Sequence, residues 1–180
     1  MQNKNDIDVL KKVKLLILDV DGVLTDGKIL ISSSGDETKS FYIEDGTGAA
    51  IARFANLPIV WLSGRYSECT DIRAKELKID CCIQGILDKQ NKLPEIINQF
   101  NIPIENIAYV GDGLVDIPVL EKVGIPIGVP NAHSTVKEKC IFITDSNGGF
   151  GVLNELVEKI LKSQSKYSET LEMMKNKTFK

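Results

Sequence analysis

The run Lys14–Val20, KLLILDV, constrains this chain more than any other stretch. Apolar residues that do not alternate leave no face for water, so a strand here must be covered on both sides, as parallel strands are. Similar runs recur at Leu57–Leu62 (LPIVWL) and Asn106–Val110 (NIAYV), with a shorter strand at Asp80–Gln84. Helical patterns fill the intervals at Thr47–Asn56, Ser67–Lys78, Lys89–Phe100 and Leu114–Val123. The alternation continues through Pro126–Val129, Ala132–Lys139, Ile141–Thr144 and Gly151–Lys162. Strands alternating with helices predict the α/β class: a Rossmann-like, three-layer parallel sheet with helices on both faces.

One segment breaks this rhythm. Residues 28–43 read as a β-hairpin inserted after the first strand: KILIS, then SSGDE as the turn, then TKSFYI. An isolated hairpin is marginal in water, and Ile29, Ile31, Phe41 and Ile43 need a partner, which predicts self-association. No Pro/Gly/Ser linker divides the chain and no repeat is visible. A length of 180 residues fits one domain, 1–180, with a sizeable core. From Ser163 the sequence turns polar and lysine-rich, so the tail 163–180 is expected to be frayed or docked on a partner.

Composition excludes several functions. The longest apolar stretch, Val13–Val20, is interrupted by Lys14 and Asp19 and is far short of a membrane span. The start, MQNKNDIDVLKK, has no apolar core of a signal peptide, which predicts a cytoplasmic protein. Net charge is −3 with signs intermixed, so there is no electrostatic footprint for nucleic acid. Cys69, Cys81, Cys82 and Cys140 form no CxxC pair and read as reduced, buried thiols rather than a zinc site. The single histidine, His133, reads as a helix-start or surface residue, which weakens any triad built on it.

In open α/β sheets, ligands bind beyond the carboxyl ends of the strands. The first strand is followed by Asp19-Val20-Asp21-Gly22 and the second by Ser63-Gly64-Arg65. The strand at Asn106–Val110 is followed by Gly111-Asp112-Gly113, with Asp116 one turn on, and the Asp80 strand by Gly85 and then Lys89. Taken singly, each has an ordinary reading: a helix cap, a turn hydroxyl, a solvated lysine. Together they place several carboxylates, a hydroxyl and a lysine at one sheet edge. A divalent cation resolves the repulsion among such carboxylates, and hard oxygen donors favour Mg²⁺. In such a site one carboxylate can attack phosphorus to give an aspartyl phosphate. A second, two residues on, can protonate the leaving oxygen and then activate water. Cation, lysine and hydroxyl can neutralise the phosphoryl oxygens.

At this level the chain resembles the haloacid dehalogenase-like phosphatase superfamily, whose four motifs are matched in order. Asp19 through Gly27 (DVDGVLTDG) is similar to the first, Ser63-Gly64-Arg65 to the second, Lys89 to the third and Gly111 through Asp116 to the fourth. The resemblance implies Asp19 as nucleophile, Asp21 as general acid/base, and Ser63 and Lys89 as holders of the phosphoryl group. It implies Mg²⁺ on Asp19, Asp112 and the Asp21 backbone carbonyl, with Asp116 supporting the metal shell. The spacings from Asp19 to Ser63 and from Ser63 to Lys89 leave no room for a cap domain.

Within the superfamily the chain resembles the capless 3-deoxy-D-manno-octulosonate 8-phosphate phosphatases, over roughly residues 13–160. The matching features include the DVDGVLTDG string, the 28–43 hairpin, Asp45-Gly46-Thr47-Gly48, Arg73 and the GILDK string. The resemblance implies a phosphorylated sugar-acid substrate bound by Thr25, Gly64, Arg65 and Arg73. It also implies a homo-oligomer, a tetramer built through the hairpin, whose neighbouring subunits close the site, and a place in lipopolysaccharide precursor synthesis. One related branch, the nine-carbon ulosonate (KDN/N-acylneuraminate) 9-phosphate phosphatases, carries Glu where this chain has Arg65. A cation there suits the carboxylate of the eight-carbon acid. The chain departs from the family at Gly113, Glu44 and Asn154, and the last two bear on substrate identity rather than phosphoryl chemistry. A regulatory domain that kept only the fold would be expected to lose Asp19 or Asp21. A two-component receiver would carry its acceptor on a central strand without the DxDG string.

Overall fold

The structure is a computed structural model that describes residues 8–178. The elements in chain order begin with β1 (Leu15–Leu18), a short antiparallel pair β2 (Leu30–Ile31) and β3 (Glu37–Thr38), α1 (Ile43–Phe54) and β4 (Ile59–Leu62). They continue with α2 (Glu68–Leu77), β5 (Cys81–Ile83), a 3₁₀ turn Lys89–Lys92 leading into α3 (Leu93–Phe100), and β6 (Ile107–Gly111). A second 3₁₀ turn, Leu114–Asp116, leads into α4 (Ile117–Leu120), followed by β7 (Ile125–Gly128), α5 (Ser134–Lys137), β8 (Phe142–Ile143), α6 (Val152–Ser163) and α7 (Tyr167–Thr178).

Six strands form one parallel sheet in the order β5-β4-β1-β6-β7-β8. β1 is central, with Leu16 paired to Ile59 on one side and Ala108 on the other. All four of its residues are fully buried, as the unalternating apolar run requires. The helices fall into two groups. α1 packs on α6, α7 and α2, while α4 packs on the 3₁₀ turn before α3, and α5 on the 3₁₀ turn before α4. The expected α/β architecture is present, and every loop at the carboxyl edge of the sheet is brought within reach of the end of β1.

The crossing of α1 and α6 is unusually close. A Cβ on Gly48 would lie 2.6 Å from Asn154 Cα, so only glycine fits there. Next to it the buried Asp45 accepts a hydrogen bond from the Asn154 N–H at 3.2 Å, which satisfies a free donor in the first turn of α6.

Several expectations are corrected. The 28–43 hairpin pairs at only two positions, Leu30 with Thr38 and Ile31 with Glu37. Beyond them the chain leaves the ladder: Phe41 turns inward to stack on Trp61, with ring centroids 6.1 Å apart, and Ile43 opens α1, earlier than Thr47. The tail is not frayed. Tyr167, Leu171 and Met174 repeat at helical spacing and pack on the core, and Thr170 is buried. The helices expected at 89–100 and 114–123 each begin as a 3₁₀ turn, and Pro94 and Pro118 then sit in the first turn of the α segment, where a missing N–H costs little. The four cysteines are free but only partly buried. Among the described residues no helix is long and apolar enough to cross a membrane.

Candidate active site

Asp19 lies immediately beyond β1 and is 6% exposed. Its Oδ1 accepts from the Val20 N–H at 2.7 Å and from Lys89 Nζ at 2.8 Å. Among the described residues no donor reaches Oδ2. The loop that follows is folded back on Val20, whose carbonyl accepts the N–H groups of Val23, Leu24 and Thr25. Gly22 makes this turn possible: its φ is +95°, and a Cβ would lie 2.1 Å from Asp112 Oδ2. Thr25 Oγ1 accepts from Gly22 N–H at 3.3 Å and Gly27 N–H at 3.2 Å, and the residue is 1% exposed. Thr25, expected to touch substrate, therefore spends its hydroxyl on bracing the loop. The Gly148–Gly149 turn backs the same loop. Gly149 N–H donates to Val23 O at 2.9 Å, and a Cβ on Gly148 would fall 1.7 Å from Gly22 O.

The second set of carboxylates comes from the end of β6. Asp116 is fully buried and fully satisfied: Oδ2 accepts the Asp112 and Gly113 N–H groups at 3.1 and 3.0 Å. Its Oδ1 accepts Lys89 Nζ at 2.7 Å and the Tyr109 hydroxyl at 2.5 Å. Gly111 permits this, because a Cβ there would meet Asp116 at 2.6 Å. At Gly113 the nearest atoms lie at 3.8 Å, so packing does not require glycine; its N–H holds Asp116 whatever the side chain.

Burial sets the electrostatics. It raises the Asp19 carboxyl to about 7, Lys89 opposing and Asp116 adding to the rise. Burial and the Asp116 charge bring Asp112 to about 6. Burial alone would pull Lys89 down, but Asp19 and Asp116 outweigh it, and the ammonium is held above its ordinary range. The buried Tyr109 phenol is pushed well up by desolvation and then by Asp116, so it remains a donor.

The donor set fits a hard divalent cation. Carboxylate oxygens of Asp19, Asp112 and Asp116 lie within 4.8 Å of one another. Asp112 Oδ1 is buried with no hydrogen-bond partner, and such an orphan acceptor calls for a cation. Asp116 has no free oxygen, so it orients, while Asp112 Oδ1 is the unpartnered oxygen open to a cation beside Asp19. The Asp21 carboxylate is not part of this cluster. It accepts Lys39 Nζ at 2.6 Å and lies 3.6 Å from Arg65 Nη1.

Ser63 is buried at the end of β4, with its N–H bonded to Ile83 O at 2.9 Å. A Cβ on Gly64 would touch Leu87 and Lys89 at 3.5 and 3.9 Å. Arg65 binds Glu37 Oε2 at 2.9 Å. Arg73 is not brought to the carboxylates: it pairs with Glu76 at 2.8 Å on α2 and lies beside Gly46. His133 caps α5 through Nδ1, as its helix-start reading requires. Glu44 and Asn154 line one groove of about 750 Å³ with Tyr42 and Phe150.

Sequence reasoning missed Lys39, Glu37 and Tyr109. Tyr109 carried a signal, since a tyrosine in a fully buried strand needs a partner for its hydroxyl. Lys39 carried none, because its approach to Asp21 depends on how the hairpin folds over the loop.

Comparison with known proteins gives a consistent result. A family model of haloacid dehalogenase-like hydrolases matches residues 61–156. The 3-deoxy-D-manno-octulosonate 8-phosphate phosphatase of Salmonella typhi is 36% identical over 159 residues, covering 88% of this chain and 85% of that protein. The Escherichia coli K12 protein of the same name is 36% identical over 165 residues, covering 90% and 88%. A crystal structure of the Moraxella catarrhalis phosphatase with magnesium, phosphate and KDO superposes with a TM-score of 0.90 at 36% identity, covering 96% of this chain and 99% of that one. The cobalt-bound Haemophilus influenzae phosphatase gives 0.85 at 34% identity, covering 89% and 94%.

Proposed function

The chain belongs to the 3-deoxy-D-manno-octulosonate 8-phosphate phosphatases of the haloacid dehalogenase-like hydrolases, and from that premise we propose how its residues hydrolyse the ester. Asp19 Oδ2 attacks phosphorus, the bond from phosphorus to the sugar oxygen breaks, and Asp21 gives that oxygen a proton. Water then attacks the aspartyl phosphate, Asp21 takes its proton, and phosphate leaves with Asp19 restored. Ser63 and Lys89 hold the phosphoryl oxygens, Lys89 from a fully buried position where its charge is little screened. Mg²⁺, held by Asp19 and Asp112 with Asp116 orienting the site, neutralises phosphoryl charge when bound.

One observation carries this reading. Both donors to Asp19 converge on Oδ1, which fixes the carboxylate and leaves Oδ2 as the attacking atom. Rapid quench with borohydride during turnover tests it, because borohydride reduces an acyl phosphate to the alcohol. Homoserine at position 19 is expected; reduction at another aspartate, or none, contradicts it.

The substrate is 3-deoxy-D-manno-octulosonate 8-phosphate, supported by the named relatives and by the KDO held in the Moraxella structure. Arg65, 41% exposed at the rim, is the cation offered to the sugar carboxylate. We further infer one domain and a homo-tetramer joined through the hairpin, whose Ile29, Leu30 and Ile31 are 46%, 56% and 67% exposed. A neighbour there would cover a site that no cap encloses. A charged phosphate ester does not cross a membrane, which supports a cytoplasmic enzyme acting where its substrate is made.

A further inference from the structure

Lys39 comes from the far limb of the hairpin, one residue after β3, and its side chain is 1% exposed. Burying a lysine on a projecting hairpin is costly unless a specific partner receives it. That partner is Asp21: Lys39 Nζ meets Oδ1 at 2.6 Å and reaches Glu37 only at 3.8 Å. The other oxygen, Asp21 Oδ2, is buried with no hydrogen bond; Arg65 Nη1 pairs with it only at 3.6 Å and likewise makes no hydrogen bond. Glu37, from the same hairpin, draws Arg65 away through Nη2 at 2.9 Å. The two oxygens of Asp21 are thus unequal: Oδ1 holds a direct hydrogen bond from Lys39, while Oδ2 has no hydrogen bond and only the longer Arg65 contact.

We propose that Lys39 is a positioning residue for Asp21: by anchoring Oδ1 it fixes Oδ2 as the oxygen that gives the proton to the leaving group and later takes one from water. This deepens the phosphatase reading and rests on it. A proton donor is effective only within hydrogen-bond reach of its acceptor, and a carboxyl free to rotate spends much of its time out of line. The anchor is carried by the hairpin, whose exposed apolar first limb is the surface offered to another subunit. Leu30 on that limb pairs with Thr38, the neighbour of Lys39, so contact there reaches the proton donor through one strand pair and one ion pair.

The test is the dependence of kcat/KM on leaving-group pKa across a series of aryl phosphates with Mg²⁺, for wild type and Lys39→Met. For kcat/KM only steps through loss of the leaving group count, so it reports on proton donation and not on later hydrolysis. With Asp21 aligned, poor and good leaving groups differ little. In Lys39→Met, activity on 2,4-dinitrophenyl phosphate should stay close to wild type, while phenyl phosphate should lose roughly 10²-fold. Lys39→Arg should restore the shallow dependence. Lys39→Gln gives the same comparison if Lys39→Met does not fold, which a melting curve decides. A uniform loss across the series, or none, overturns the proposal, since a merely structural role would not change the slope. The underlying reading fails separately: a wild type that hydrolyses aryl phosphates but not the octulosonate 8-phosphate overturns the substrate assignment and leaves the Lys39 comparison intact.

Discussion

Lys89 Nζ lies 2.8 Å from Asp19 Oδ1, and the lysine side chain that makes this contact is wholly buried. It also bonds Asp116, so one ammonium bridges two carboxylates in the floor of the site. Removing one member of a buried charge cluster leaves the others uncompensated. Lys89→Met should therefore cost about 3–5 kcal/mol in urea denaturation without Mg²⁺, as well as abolishing turnover. A loss of activity at unchanged stability would mean that the cluster is not charged in the folded protein.

Asp112 offers the open oxygen of the metal cluster, with Oδ1 buried and unpartnered. Mg²⁺ should stabilise the folded chain by mass action, raising the melting temperature of wild type by roughly 5–10 °C at about a hundred times its dissociation constant. Asp112→Asn should abolish most of that rise and all EDTA-sensitive activity. Asp116→Asn should instead lower stability with and without the metal, because Asp116 spends its oxygens on two backbone N–H groups, Lys89 and Tyr109. Equal metal responses in the two variants would contradict this division of labour.

Burial lifts the Asp45 carboxyl from 3.8 to about 6, against the opposing pull of the Asn154 and Leu153 N–H groups. The folded state then holds this proton more tightly than the unfolded chain does. Its contribution to stability is complete below about pH 4, falls as pH rises to about 6, and is flat above. Asp45→Asn keeps an acceptor for α6 and removes the titration. The variant should gain on wild type by roughly 1–3 kcal/mol between pH 4 and 6.5, measured by denaturation at each pH. A difference that does not change across that window would show that Asp45 is solvated or paired.

The first limb of the hairpin exposes Ile29, Leu30 and Ile31 by 46%, 56% and 67%. A Leu30→Lys/Ile31→Glu pair should turn a tetramer into smaller species in sedimentation velocity, with the monomer's melting curve little changed. A wild type that sediments as a monomer, or a variant still tetrameric, would remove the hairpin from the interface.

The strands and the carboxyl-edge residues were legible because each is a local property. An unalternating run such as Leu15–Leu18 has one way to be buried, and a loop at its end has one edge to occupy. That places Asp19, Ser63, Lys89, Asp112 and Asp116 at one edge; their joint occurrence and the family resemblance supplied their roles. What was not legible depends on packing between distant segments. Phe41 left the hairpin because Trp61 offered a stacking face. Thr25 turned inward because two backbone N–H groups of its own loop needed an acceptor. Arg73 faces Glu76 on its own helix. Lys39 reaches Asp21 only once the hairpin lies over the first loop. The tail was misread for another reason: its polar composition hid the helical spacing of Tyr167, Leu171 and Met174.

The most direct measurement is phosphate release with Mg²⁺ from 3-deoxy-D-manno-octulosonate 8-phosphate, nine-carbon ulosonate 9-phosphates and common sugar phosphates, with Asp19→Asn alongside. The expected result is a strong preference for the octulosonate ester in kcat/KM, reduced at least about 10³-fold in Asp19→Asn. Preference for a nine-carbon ester would contradict the substrate, and wild-type release no faster than that of Asp19→Asn on every ester would contradict the enzyme.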